Sequence, residues 1–229
     1  VILTRDLVVA RGGKAVLHGI DLAIGAGECV VLAGPNGAGK STLLRALAGL
    51  IGYSGTIQRP EPRARNIAYL PQGAGSAWDL TLRQVAALGR VPHGGADPAG
   101  AVDRALDDCG LAGLALRPIS TVSGGEARRA MLARALATES QVLLLDEPLS
   151  DLDPAHGFAV LALLRRVADG GRAVIAVLHA PELASDFATR LLVLHQGRIV
   201  ADGAPGATLP RAAHAYGVGF GATQGFLPP

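Results

Sequence analysis

The sequence predicts an α/β fold with a mostly parallel sheet, and three observations carry that prediction. Largely apolar runs at Cys29-Val30-Val31-Leu32-Ala33, 141–146, 173–178 and 190–195 lack the polar alternation of a half-exposed strand. Such runs fit strands buried on both faces. Helical patterns alternate with them, which is how helices come to cover a parallel sheet. A glycine-rich loop joins the first run to a helical pattern over Ser41–Leu50, in which Leu43, Leu44, Leu47 and Leu50 share a face.

Each element follows in order. Residues 1–33 read as short β segments, with Leu7-Val8-Val9, Ala15-Val16-Leu17 and Ile20–Ile24 separated by turns at Gly12-Gly13 and Gly25-Ala26-Gly27. A strand is expected at Ile67–Leu70. Residues 73–120 then change character, with helices expected at about 81–90 and 99–109 around the breaker-rich Val91-Pro92-His93-Gly94-Gly95. A further helix begins near Gly124, so this stretch reads as a helical insertion. The tail after Gly203 reads as a loop, and there is no internal repeat.

With 229 residues, 49% hydrophobic and 17% charged, the chain is expected to pack one substantial core. A formal charge of +2 and the lack of a basic run point away from nucleic acid as a partner. Cys29 and Cys109 have no Cys or His neighbour at metal-ligand spacing and read as buried thiols in a reducing compartment. No apolar run approaches the ~18–20 residues that span a bilayer. The opening Val1–Asp6 does not resemble a signal peptide. The expectation is a cytoplasmic protein whose membrane role, if it has one, comes from docking.

Gly34-Pro35-Asn36-Gly37-Ala38-Gly39-Lys40-Ser41 fits G-x-x-x-x-G-K-[ST] at every position, between a buried strand and a helix. That is the phosphate-binding loop of P-loop NTPases. Its glycines let successive N–H groups point into one concavity above a helix N-terminus, with Thr42 in the first helical turn. Lys40 would reach the β- and γ-phosphates of ATP, and the Ser41 hydroxyl would ligate Mg²⁺.

Val142-Leu143-Leu144-Leu145-Asp146-Glu147-Pro148 is an apolar strand that ends in two acids. Asp146, at the carboxyl edge of the sheet, can hold the hydration shell of Mg²⁺ beside Ser41. Glu147 points the other way and is free to polarise an attacking water.

Val122-Ser123-Gly124-Gly125-Glu126, upstream of the acidic strand, resembles the signature motif of ABC ATPases, and the resemblance runs from about Leu7 to Gly203. It implies a P-loop NTPase core with an N-terminal antiparallel β subdomain (1–72 and 139–229) and an inserted α-helical subdomain (73–138), together one cassette over 1–229. It also implies that the signature closes over ATP held by the P-loop of another cassette, giving two composite sites in a head-to-tail homodimer or in a pseudo-dimer with a related chain. By the same resemblance Gln72 is the Q-loop glutamine that senses Mg²⁺, and Ser150-Asp151-Leu152-Asp153 is the D-loop. His179 is the switch histidine at the γ-phosphate. Three positions depart from the family pattern. Arg11 stands where an aromatic residue commonly stacks on adenine; its guanidinium could stack too, and an exposed turn arginine explains it equally well. Val122 replaces leucine, and Ala180 replaces an aspartate.

Thr81–His93, Asp153-Pro154-Ala155-His156 and Ala215-Tyr216-Gly217-Val218 resemble the matching stretches of ATPases from iron–siderophore, haem and cobalamin importers. The implied function is the ATP-hydrolysing motor of a bacterial importer, peripheral at the cytoplasmic face of the membrane. Its partners would be integral membrane permease subunits and, indirectly, a periplasmic or extracellular binding protein. A soluble single-cassette ATPase in cofactor assembly, or a transporter of another substrate class, also fits the motifs.

Overall fold

A computed structural model describes residues 1–73, 78–215, 219–221 and 225–227. The chain begins with a long hairpin. β1 (Ile2–Arg11) and β2 (Lys14–Ile24) pair antiparallel around Gly12-Gly13, merging the short segments expected there. β3 (Cys29–Ala33) is buried throughout and leads through the glycine loop into α1 (Lys40–Leu47). β4 (Ser54–Gln58) adds antiparallel to the other side of β1. Its sequence, SGTIQ, is too polar and short to register as a strand by periodicity.

After α2 (Arg63–Asn66) and β5 (Ile67–Leu70) come the expected helices. They are α3 (Leu82–Ala87), a 3₁₀ segment over Leu88–His93, α4 (Ala101–Asp108) and α5 (Gly124–Ala137). Thr81 caps α3 in a reciprocal box with Gln84, while Leu82, Val85 and Ala86 turn inward. The remaining elements are β6 (Val142–Asp146), α6 (Pro154–Asp169), β7 (Ala173–Val177), α7 (Ala184–Phe187), β8 (Arg190–His195), β9 (Arg198–Gly203), α8 (Pro205–Ala215) and the short pair β10 (Gly219–Gly221) and β11 (Gly225–Leu227).

The main sheet runs β5-β6-β7-β3-β8-β9, parallel except for β9. Strand alternation divides its side chains between two cores. Val30, Leu32, Val142 and Leu144 face α1 and the antiparallel sheet β2-β1-β4. Cys29, Val31, Leu143 and Leu145 face the helices on the other side, among them α3 to α6 and α8. Both cysteines are free and buried, and burial pushes their thiols up to about 12.

Two sequence expectations need correction. The first helix stops at Leu47, because Gly49 turns the chain at φ +71°, and this leaves Leu50 61% exposed rather than on the buried face. The segment after Gly203 is not a loop: α8 packs Leu209 and Ala212 into the core, and prolines at 205 and 210 had hidden that spacing. Of the subtype-like tail, Tyr216-Gly217-Val218 lies outside the described residues. Among the described residues no helix is long and apolar enough to cross a membrane.

Candidate active site

The carboxyl ends of β3, β6 and β7 lie side by side in the sheet, and the predicted chemical groups emerge just beyond them. Asn36 to Thr42 line a cleft of about 480 Å³ together with Val16, Gln72, Glu147 and His179. Residues up to 163 positions apart in the chain (16 to 179) therefore share one concavity.

The loop is built on close approach. Gly34 sits at φ +144° and a Cβ there would collide with the Leu194 carbonyl, so only glycine fits. Gly39 caps α1 in the left-handed region, where a Cβ would come 2.9 Å from the Leu17 side chain. The Lys40 ammonium lies across the loop, donating to Gly34 O at 2.6 Å and Pro35 O at 3.0 Å. Burial lowers its pKa, against the opposing pull of the Glu147 and Asp146 carboxylates.

Asp146 ends β6 in the same alternation as Val142 and Leu144, so its carboxylate turns toward the α1 side. It is fully buried, and its Oδ1 makes no hydrogen bond. Burial raises its pKa, while the Ser41 hydroxyl nearby pulls the other way. The Tyr69 hydroxyl, 3.5 Å from Oδ2, completes its surroundings. A buried oxygen without a partner, beside a serine hydroxyl and a phosphate loop, fits a hard cation such as Mg²⁺.

Glu147 breaks the strand alternation. Its backbone is left-handed at φ +54°, and its side chain enters the cleft, where Oε1 lies 2.7 Å from His179 Nε2. The histidine is reached by the strand end after β7 and remains 58% exposed.

Other predicted residues stand apart. Ser123 and Glu126 form a capping box at the start of α5, with Ser123 N donating to Glu126 Oε2 at 2.8 Å. Hydrogen bonds from Ser123 lower the Glu126 pKa. With Gly124 and Gly125, they do not line the P-loop cleft of their own chain. Arg11 is exposed and lines a different hollow, with Val8–Ala10 and Ile51–Ser54; Val16 is the hairpin residue that reaches the phosphate loop. Three residues at or beside the cleft carried no motif signal: Val16, Tyr69 and Arg128. Tyr69 could have been suspected from its place on the strand just before Gln72; the other two offered nothing.

Comparison with known proteins agrees with this geometry. The family described as ABC transporter matches residues 17–150. A hemin import ATP-binding protein, HmuV, of Streptomyces coelicolor is 43% identical over 213 residues, covering 87% of this chain and 76% of the relative. A cobalamin import ATP-binding protein, BtuD, of Halobacterium salinarum is 40% identical over 218 residues, covering 89% of this chain and 55% of the relative. Among solved structures, an inward-facing ABC transporter described as of metal-chelate type superposes with a TM-score of 0.84 at 25% identity, covering 100% of this chain and 97% of that one. By matched residues, shared length and fold, the chain belongs to the ABC transporter family and is one of its ATP-binding cassettes.

Proposed function

We propose that this cassette is the motor of an importer, hydrolysing Mg-ATP to drive a separate membrane permease that carries a metal chelate such as haem, cobalamin or an iron–siderophore complex. The observation behind the hydrolytic part is the convergence of the phosphate loop, Glu147 and His179 on one cleft, with Asp146 buried beside Ser41. Support for the cargo class comes from relatives named for hemin and cobalamin import.

In this reading the amides of Gly37 to Ser41 hold the β- and γ-phosphates, and Lys40 exchanges its loop carbonyls for phosphate oxygens. Ser41, Asp146 and Gln72 would hold Mg²⁺, which supplies charge neutralisation on the phosphate oxygens. Glu147 accepts the proton of the attacking water, and His179 meets the γ-phosphate. Because Ser123 to Glu126 stand outside their own cleft, they act on ATP bound by a second cassette, in a head-to-tail dimer. The permease holds the pair against the membrane.

The test has two parts. Affinity-tagged chain should co-purify with an integral membrane protein, and deletion of the gene should abolish growth on haem, siderophore-bound iron or cobalamin as sole source. Normal growth on all three, in a strain without a redundant transporter, would reject the cargo class. Isolation without any membrane protein would favour a soluble cassette.

A further inference from the structure

Arg128 lies in the first half of α5, and only 4% of it is exposed. Its guanidinium reaches across to three backbone carbonyls belonging to two other segments. Nη1 donates to Pro71 O at 3.2 Å, and Nη2 donates to Asp146 O at 2.8 Å and Glu147 O at 2.5 Å. Pro71 immediately precedes Gln72, and Asp146 and Glu147 are the acids at the end of β6. Five residues before Arg128, on the same helix, stands the cap Ser123.

The acceptors are ones that matter. Glu147 holds a left-handed backbone, φ +54°, which is strained for a non-glycine residue and persists only when neighbours enforce it. Its carbonyl is fixed from two sides, by Arg128 and by Ser150, whose Oγ donates at 3.1 Å. The D-loop in turn abuts the signature, since a Cβ on Gly125 would lie 3.1 Å from Asp151 O. Charge-assisted bonds from a rigid planar fork are stronger and more directional than neutral ones.

We propose that Arg128 is a positioning residue for hydrolysis: it locks Glu147 in its left-handed conformation and ties the signature helix to the Gln72 segment and to the catalytic acids. Movement of α5, which carries Ser123 to Glu126, is thereby transmitted to the site in the same chain. The inference rests on the reading of Glu147 as the proton acceptor. Arg128 itself lies outside the lining of the cleft, so it should affect kcat and leave nucleotide affinity alone.

The experiment compares wild type, Arg128→Met and Arg128→Lys by steady-state ATPase kinetics, by ATP binding without hydrolysis (calorimetry in EDTA) and by thermal melting. Arg128→Met should lower kcat by roughly 10- to 100-fold, the size of a small misplacement of reacting groups, with ATP affinity within twofold of wild type. Arg128→Lys, which keeps the charge but cannot fork to three carbonyls, should fall between the two in kcat. An Arg128→Lys enzyme with wild-type kcat would overturn the proposal. So would an Arg128→Met protein that folds but loses kcat and ATP binding in equal proportion, since a merely structural residue predicts that result. If Arg128→Met fails to fold, the kcat of Arg128→Lys decides alone. Absence of ATPase activity in wild type would instead reject the underlying reading of the site.

Discussion

His179 Nε2 lies 2.7 Å from Glu147 Oε1, so the residue expected at the γ-phosphate and the residue expected to activate water are paired with each other across the mouth of the phosphate cleft. The histidine therefore orients the glutamate in addition to any contact with phosphate.

His179→Ala should accordingly leave ATP affinity within about twofold and lower kcat by roughly 100-fold, within the range for positioned proton-transfer partners. Single-turnover hydrolysis alongside equilibrium ATP binding checks this. A loss of affinity as large as the loss of rate would show that His179 only holds substrate.

Asp146 supports a prediction about pH. Burial raises its pKa in the folded protein. A raised carboxyl binds protons that the unfolded chain has already released, so its ionised form costs stability at pH above the raised value. That cost fades as pH falls through the raised value and is gone below the unfolded one. Asp146→Asn should therefore melt at or above the wild-type temperature at neutral pH, with the gap narrowing on acidification, while Mg²⁺-dependent hydrolysis is lost. A variant markedly less stable than wild type at neutral pH would contradict this reading.

Arg11→Ala should bind ATP within twofold of wild type, because Arg11 is exposed and lines a hollow separate from the phosphate cleft. A loss of roughly two- to fivefold, the equivalent of an exposed cation–π contact of ~0.5–1 kcal/mol, would place the guanidinium on the adenine.

How much of this was legible in the sequence depended on whether the signal was local. The phosphate loop was, because Gly34, Gly39 and Lys40 are required by backbone geometry within a few residues. Asp146 was too, since it follows from an apolar strand of period two. The polar strand β4 was not, because it is held by pairing with β1 rather than by its own pattern. Nor was α8, where prolines masked two inward-facing apolar residues. Arg128 looks like any of the helix's three arginines until the fold brings Pro71 and Glu147 beneath it. Long-range hydrogen bonds of that kind leave no periodic trace in a chain.

In the proposed function this cleft hydrolyses ATP with Glu147 as the proton acceptor. The most direct measurement is ATP turnover and Mg-ATP-dependent oligomeric state for wild type and Glu147→Gln, assayed side by side. An amide of the same shape cannot take the proton, so kcat should fall by roughly 10²–10⁴-fold, with undiminished ATP binding and an ATP-bound dimer accumulating on size-exclusion chromatography. Turnover by Glu147→Gln near the wild-type rate would show that Glu147 is not the proton acceptor.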